Sequence, residues 1–236
     1  SVEIVTYLYF KEMNIESPTD ENRDKFILSK GHGAPVLYSV LMEKGFISKE
    51  LMSTLRQIDS KLQGHPDMKK LPGVEASTGS LGQGLSIANG IALANKLDNK
   101  KSRVFALLGD GEVQEGMVWE AAMLAAHYNL DNLTAILDHN GLQIDGRNDD
   151  VMKVEPLDKK WESFGWHVIK ADGHDFKSLE NAFEERKKIT GRPAIIIAET
   201  IKGKGVSFME DKSGWHGKAP NDEELATALN ELGGDE

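Results

Sequence analysis

The first part of the chain alternates between helical periodicity and turn-forming residues. Apolar side chains recur at helical spacing from Val2 to Met13 and predict an opening helix. A second helix is predicted over Ala34–Lys44, and a third from Ser48, a residue type that caps helices. Prolines and glycines punctuate Gln63–Ser80, which predicts a long loop, ordered or disordered; long loops in compact domains are usually functional. Residues 1–80 are therefore expected to be helical and loop-rich.

From Leu81 onwards, short apolar runs alternate with amphipathic helices. Continuously apolar strands separated by helices are typical of a parallel sheet covered by helices on both faces. The pattern predicts an α/β fold, with residues 1–236 as a single domain and 81–220 as its core. The predicted strands are Val104–Leu108, Leu133–Leu137, Trp166–Ile169 and Ala194–Ala198, and the predicted helices are Leu81–Leu97, Gly116–Asn129, Asp175–Lys188 and a short acidic helix within Asn221–Glu236 that ends in a Gly233-Gly234 tail.

Composition excludes several classes of function. The chain has 28 basic and 38 acidic residues, a formal net charge of −10, which opposes nonspecific binding to nucleic acid or to an anionic membrane. It has no cysteine, which excludes disulfides, thiolate metal sites and cysteine nucleophiles. No apolar run approaches the roughly 20 residues of a membrane span, and no basic secretory segment opens the chain, so a cytoplasmic protein is expected.

The clearest chemical signal is an acid between two glycines where a predicted strand ends. Asp110 holds that position in Gly109-Asp110-Gly111, and Asn140 follows the next strand 30 residues later, about one strand-helix-strand step. Their side chains, with a carbonyl such as that of Leu142, would offer three oxygen ligands to Mg²⁺ or Ca²⁺. Gly111 would let a diphosphate approach the backbone. The sequence therefore predicts a diphosphate site that contains a metal ion. The cation would offset the repulsion between an acidic domain and the anionic diphosphate.

A second glycine cluster and several loop residues are weaker candidates. Ser77–Gly84 opens the Leu81–Leu97 helix without the dinucleotide-binding pattern, so its glycines either present N–H groups to an anion or permit tight helix packing. His32, His65 and His216 flank glycines and could contact a ligand, although each alone would be an ordinary loop residue. Glu115 is a candidate proton carrier. Lys202-Gly203-Lys204-Gly205 could contact phosphate, but lysines after a strand are usually solvated.

Together these motifs resemble the thiamin-diphosphate-binding N-terminal half of transketolase over nearly the whole chain. Gly109-Asp110-Gly111 with Asn140 is similar to the motif shared by many thiamin diphosphate enzymes. The more specific matching segments are Phe26–His32, Gly64-His65-Pro66, Leu71–Glu75, Thr78–Gly84 and His216–Pro220.

The resemblance implies a role for each matching residue. Asp110, Asn140 and the Leu142 carbonyl would hold Mg²⁺, with Ca²⁺ as an alternative. Gly79, Leu81, Gly111, Glu112, Ile144 and His216 would line the cofactor. His32, His65 and His216 would contact the donor sugar or the cofactor near the reacting carbon, and Glu115 would link paired active sites across a dimer.

The implied reaction is transfer of a two-carbon ketol unit from a ketose phosphate to an aldose phosphate, as in the pentose phosphate pathway. The family also needs pyrimidine-binding and C-terminal domains, which 236 residues cannot contain. We therefore expect a split enzyme whose other half is a separate C-terminal transketolase subunit, with a dimer of heterodimers, that is a heterotetramer, as the assembly. A fragment of a longer enzyme is the alternative origin.

Three other functions are also compatible with parts of this sequence pattern. A 1-deoxyxylulose-5-phosphate synthase and the α subunit of a 2-oxoacid dehydrogenase share the Gly-Asp-Gly and Asn pattern, but Ser29–His32 and Trp215–Gly217 favour transketolase. The third is a non-catalytic module that binds thiamin diphosphate. The three loop histidines argue against it, because a sensor needs no groups that handle sugar.

Overall fold

The structure, a computed structural model, describes residues 1–233 and is built around a five-stranded parallel sheet. In chain order the strands are β1 (Lys25–Leu28), β2 (Val104–Gly109), β3 (Leu133–His139), β4 (Leu142–Gln143), β5 (Gly146–Arg147), β6 (His167–Asp172) and β7 (Ala194–Glu199). The main sheet has the order β1-β2-β3-β7-β6 with every neighbouring pair parallel, whereas β4 and β5 form a separate antiparallel hairpin. The predicted parallel sheet is confirmed.

The structure contains eight α-helices within residues 1–233. They are α1 (Val2–Tyr7), α2 (Ala34–Glu43), α3 (Gln83–Leu97), α4 (Gly116–His127), α5 (Asn148–Val151), α6 (Leu157–Ser163), α7 (Phe176–Lys187) and α8 (Asp222–Glu231). A π-helical turn, Leu8–Glu12, extends α1, and the 3₁₀ segments are Gly31–Gly33, Lys49–Thr54, Glu112–Gln114 and Ser213–Trp215.

Two apolar cores lie on opposite faces of the sheet. Successive side chains of a strand point to opposite faces, so Phe105 and Leu107 of β2 join one core while Ala106 and Leu108 join the other. The first core contains residues of α1, α2 and α7, and the second contains residues of α3, α4 and α6. Both faces of β2 are therefore covered, which explains its continuously apolar sequence.

The N-terminal third differs from the sequence prediction at two elements. Strand β1 was missed because its buried apolar run, Phe26–Leu28, is too short to show a period; it pairs with β2 at the sheet edge. The third helix is only the 3₁₀ segment after Ser48, whose Oγ accepts the Glu50 N–H. The Ser53 and Thr54 hydroxyls both donate to carbonyls of that segment, which is how such side chains compete with α-helical hydrogen bonding.

The long loop predicted around Gln63–Ser80 contains no helix or strand and packs against the body of the protein. The hydroxyl of Tyr38 donates to the carbonyls of Gln63 (2.8 Å) and His65 (3.2 Å), which anchors the loop to α2. Helix α3 begins at Gln83 rather than Leu81 because Gly82 has a φ of 84°, outside helical geometry. The loop is therefore held where it can form one wall of a site.

The C-terminal region contains α8, which was predicted as a short acidic helix. Asn221 and Glu224 form a reciprocal capping box at its start. The predicted glycine tail is described only as far as Gly233, and Gly234 lies outside the described residues. Within residues 1–233, no helix is both long enough and apolar enough to cross a membrane.

Candidate functional site

A cavity of about 530 Å³ opens at the carboxyl ends of the sheet strands. Parallel strands collect ligands at this edge because their terminal loops converge there. The cavity brings together every predicted site residue except Glu115. These lining residues are His32, His65, Gly79, Leu81, Asp110, Gly111, Glu112, Asn140, Leu142, Ile144 and His216.

Strands β2 and β3 place the predicted metal ligands side by side. Gly109 pairs with Asp138 in the parallel register, so Asp110 and Asn140 both lie just beyond adjacent strand ends. Asp110 is 1 % exposed, and its carboxylate accepts the N–H groups of Gly111 (2.8 Å) and Gly141 (2.5 Å). Asn140 is oriented by its Oδ1, which accepts the Leu142 N–H at 3.1 Å.

The β4–β5 hairpin leaves the third predicted ligand free. Asn148 donates its N–H to the Gly141 carbonyl at 2.9 Å, so these two residues form a hydrogen-bonded pair. Hydrogen-bonded and non-hydrogen-bonded pairs alternate along an antiparallel ladder, which makes the adjacent Leu142–Arg147 pair a non-hydrogen-bonded one. The Leu142 carbonyl is therefore not consumed by the hairpin ladder.

The charge of Asp110 fits a cation at this position. Burial raises the pKa of its carboxyl, opposed by the backbone N–H bonds and by the nearby His139. Within residues 1–233, Asp110 forms no ion pair with a basic side chain, and no cluster of three or more acidic or histidine side chains offers an alternative metal site. One carboxylate with an amide oxygen and a carbonyl is a donor set that suits a hard divalent cation shared with a phosphate.

Glu112 lines the cavity, but its carboxylate is occupied by the protein itself. It accepts the Ser29 hydroxyl (2.5 Å), the Gly82 N–H (2.9 Å) and the Gly109 N–H (3.0 Å). Burial raises its pKa, and these three donors oppose the rise. Glu112 thus joins the segments that follow β1, precede α3 and end β2.

The three loop histidines converge on one side of the cavity. The His32 and His216 rings lie 5.0 Å apart, and His65 packs against Gly79, where a Cβ would come within 2.8 Å of the His65 Cγ. Burial, reinforced by Lys30, lowers the pKa of His32 to about 4. Burial and Lys202 lower the pKa of His216 as well. Both imidazoles are therefore neutral near pH 7.

Basic residues also line the cavity: Lys202, which the sequence marked only as a possible phosphate contact, and Lys30 and Arg56, which were not among the predicted site residues. Lys202 follows β7, and its Nζ donates to the His216 Nδ1 at 3.1 Å; burial lowers its pKa. Lys30 also reaches the cavity and pairs with buried Asp138 at 2.7 Å, and Arg56 completes this basic wall. The position of Lys202 at the carboxyl end of a strand was the signal that could have identified it.

Glu115 and the remaining histidines lie outside this cavity. Glu115 is exposed at the start of α4, next to Gly82. A Cβ added to Gly82 would lie 2.7 Å from the Cβ of Glu115. His139 contacts Glu155 and Glu199, and His174 contacts Glu3.

The sequence of the chain matches a known family along its full length. The family described as "Transketolase, thiamine diphosphate binding domain" matches residues 1–236. The chain belongs to the transketolase family. The matching part of the family is its thiamin diphosphate-binding domain.

Relatives within the transketolase family include separate subunits and full-length enzymes. The chain is 46 % identical over 234 residues to a subunit of the apulose-4-phosphate transketolase of Actinobacillus succinogenes, covering 98 % of this chain and 84 % of the relative. It is 43 % identical over 232 residues to a subunit of the 6-deoxy-6-sulfo-D-fructose transketolase of a Clostridium species, with 98 % and 84 % coverage. Human transketolase is 46 % identical over 224 residues, but the chain spans only 35 % of it.

Solved transketolase structures share this fold. The crystal structure of Campylobacter jejuni transketolase superposes with a TM-score of 0.91 at 33 % sequence identity, covering 98 % of this chain and 38 % of that one. Transketolase from Leishmania mexicana gives the same TM-score at 30 % identity, with 98 % and 37 % coverage. The α/β architecture is therefore that of the matching part of transketolases.

Proposed function

We propose that this chain is the thiamin diphosphate- and Mg²⁺-binding subunit of a split transketolase, which transfers a two-carbon ketol unit from a ketose phosphate to an aldose phosphate in the cytoplasm. The observation that carries the proposal is one cavity that joins the oxygen donors Asp110, Asn140 and Leu142 to three loop histidines. A diphosphate site alone would not need the histidines.

The cofactor would be held by residues from both sides of the cavity. Asp110, Asn140 and the Leu142 carbonyl would coordinate Mg²⁺, or Ca²⁺ in its place. Gly79 and Gly111 would leave room for the cofactor, and the half-exposed Leu81 and exposed Ile144 would offer apolar contacts to its rings. When bound, thiamin diphosphate supplies the carbanion and electron sink for cleavage and formation of the carbon–carbon bond.

Lys202 would balance the charge of the diphosphate. Its Nζ is held at the cavity by the His216 Nδ1, and a desolvated ammonium interacts more strongly with phosphate than an exposed one does. This local positive charge, together with a metal ion, lets a chain with a net charge of −10 accept an anionic ligand.

His32 and His216 would handle the sugar as neutral groups. Because Lys202 donates to the Nδ1 of His216, the proton of that ring resides on Nε2, which can donate to a sugar hydroxyl or carbonyl oxygen. His32, whose pKa is also low, can accept or donate through its ring nitrogens at neutral pH. His65 lies beside Gly79 and completes this polar wall.

The partner would carry the pyrimidine-binding and C-terminal domains. Supporting this, the names of similar proteins in Actinobacillus and Phocaeicola describe each of them as one subunit of a transketolase. We propose assembly into a dimer of heterodimers, with the exposed Glu115 at the contact between paired sites. The alternatives, 1-deoxyxylulose-5-phosphate synthase and a 2-oxoacid dehydrogenase α chain, receive less support because these relatives are named as transketolases.

Reconstitution tests the proposed split enzyme. We expect no ketol transfer by the purified chain with thiamin diphosphate and Mg²⁺, and turnover when the candidate partner is added. The assay should include ketose phosphates and 6-deoxy-6-sulfo-D-fructose, because the relatives differ in the sugar they are named for. Turnover by the chain alone would contradict the split, and cofactor binding by an inactive pair would favour the non-catalytic module.

Substitution of His65 separates its proposed role from cofactor binding. For His65→Ala in the assembled pair we expect kcat/KM for the donor sugar to fall roughly 100-fold, the scale of lost proton-transfer and orienting groups, while thiamin diphosphate affinity changes less than about threefold. His127→Ala is the control, because His127 is exposed at the end of α4, outside the cavity. A larger loss of cofactor affinity than of donor turnover would remove His65 from the sugar site.

A further inference from the structure

His174 connects α1 to the loop that presents Lys202. Its Nδ1 lies 2.7 Å from a carboxylate oxygen of Glu3, and its Nε2 accepts the backbone N–H of Ile201 at 2.8 Å. Both side chains are mostly buried. Ile201 immediately precedes Lys202, so this bond fixes the backbone from which the cavity lysine extends.

The hydrogen bonds of His174 indicate which of its two ring nitrogens carries the proton. The Ile201 N–H can only donate, so Nε2 must be the unprotonated acceptor. The ring proton is therefore on Nδ1, where it is donated to Glu3. Glu3 thus selects the tautomer that can hold Ile201, in the way that outer carboxylates orient histidines in metal and catalytic sites.

The turn that carries His174 is built for close contact with the Lys202 loop (residues 200–206). A Cβ on Gly173 would lie 2.5 Å from the Thr200 Cγ2, and the Gly173 N–H donates to the Glu199 carbonyl at 2.8 Å. Asp172 fixes the turn by accepting the His174 N–H at 2.8 Å. The histidine therefore has little freedom to move away from Ile201.

Other bonds hold the Lys202 loop on each side of Ile201. The Thr200 N–H donates to the His139 carbonyl, and the Lys202 carbonyl accepts the Asp211 N–H, both at 2.9 Å. Between these anchors, the N–H of Ile201 has His174 as its partner. Loss of that partner would leave the backbone before Lys202 held by the bonds of Thr200 and Lys202 and by a 3.3 Å bond from the Lys204 N–H to the Ile201 carbonyl.

We propose that Glu3 and His174 form a positioning pair that holds the Lys202 loop and so presents the Lys202 ammonium to an anionic, diphosphate-containing ligand in the cavity. The inference rests on the proposed function for the identity of that ligand. The position of the loop can nevertheless be tested without any ligand. His174 does not line the site cavity, and it acts through the Ile201 backbone.

Two substitutions of His174 distinguish the effect of losing its hydrogen bond from the effect of losing the volume of its ring. His174→Gln places an amide oxygen near the position of Nε2 and retains an acceptor for Ile201, whereas His174→Asn is too short to do so. His167→Asn is the matched control, because His167 begins β6 and contacts Glu185 at 2.9 Å, away from the Lys202 loop. Glu3→Gln tests the tautomer with little change in shape.

Amine acetylation followed by mass spectrometry reports on Lys202 in the unliganded chain, with exposed Lys61 as the internal reference. For His174→Asn we expect Lys202 to be acetylated roughly tenfold faster than in the unmodified protein, the scale of one lost hydrogen bond. Glu3→Gln should give a smaller increase, and His174→Gln and His167→Asn less than about twofold. Equal rates for His174→Asn and the control, or equal effects of Asn and Gln, would overturn the proposal.

Calorimetry on the assembled pair completes the test with thiamin diphosphate and Mg²⁺ as the probe. We expect His174→Asn to weaken binding roughly tenfold and His174→Gln to restore it. If unmodified protein binds no thiamin diphosphate, the proposed function fails, while the acetylation result still decides whether His174 positions Lys202. If unmodified protein binds but His174→Asn binds equally well, the positioning role fails and the proposed function stands.

Discussion

Asp110→Asn is expected to remove metal-dependent binding of thiamin diphosphate from the assembled enzyme. The change keeps the shape of the side chain but leaves only neutral oxygens in the donor set of Asp110, Asn140 and Leu142, and Mg²⁺ binds such sets weakly. Substitutions of outer residues around metals typically cost roughly 10- to 100-fold in affinity, so loss of the charged ligand should cost more than about 100-fold. Calorimetry with and without Mg²⁺ measures the effect.

The stability of the chain provides a second measurement for Asp110. Because burial raises the pKa of its carboxyl, the stability that Asp110 contributes is lost as the pH rises through that raised pKa. A bound cation offsets this loss, so Mg²⁺ with thiamin diphosphate should raise the Tm of unmodified protein more at about pH 8 than at about pH 5. In Asp110→Asn the Tm increase should not be larger at the higher pH. Asp149→Asn is the control, since Asp149 is exposed and outside the cavity lining. Unchanged affinity in Asp110→Asn would refute the metal assignment.

Two glycines in the same helix are expected to respond to alanine in opposite directions. A Cβ on Gly84, in the first turn of α3, would lie 2.6 Å from the Ser29 Cα and 2.4 Å from its Oγ. Because the obstacle includes backbone, Gly84→Ala should lower the free energy of unfolding by about 3 kcal/mol. For a domain of this size that lowers Tm by roughly 10 °C. The displaced Ser29 would also release its bond to Glu112 and weaken cofactor binding.

Gly90 is the matched control for Gly84. It is exposed in the middle of α3, and a Cβ there would meet nothing within 4 Å. Gly90→Ala should therefore raise the free energy of unfolding by about 1 kcal/mol, because alanine loses less backbone entropy in a helix than glycine does. Calorimetric or denaturant unfolding of both variants measures the difference. Equal Tm values would show that Ser29 and α3 can separate without cost.

The sequence predicts the parts of this fold that have a clear hydrophobic period. Strands β2, β3 and β7 were predicted because they are buried on both faces, and α2, α3, α4 and α7 because their apolar residues recur at helical spacing. Strand β1 and the β4–β5 hairpin are too short to show any period. Their positions depend on pairing with β2 and on the turn at residues 144–145.

Site residues that follow strand ends could be predicted from the sequence. Site residues whose roles depend on tertiary contacts could not. The spacing between Asp110 and Asn140 placed both at one sheet edge, and the structure brings them to the same cavity. The strand-end position of Lys202 marks it only as a possible ligand contact, and its hydrogen bond to His216 across the cavity could not be read from the sequence. The sequence likewise cannot show that Glu112 uses its carboxylate on three protein donors.

The contacts of Glu112 have a consequence for how such a two-chain enzyme assembles. Its three hydrogen bonds join segments that are distant in sequence, and all of them form within this single chain. The conformational entropy of ordering these loops is therefore lost when the chain folds, rather than when ligand or partner arrives. In the proposed two-chain enzyme, this chain's half of the site would therefore be preorganised before the two chains meet, and it could serve as the template on which the other half closes.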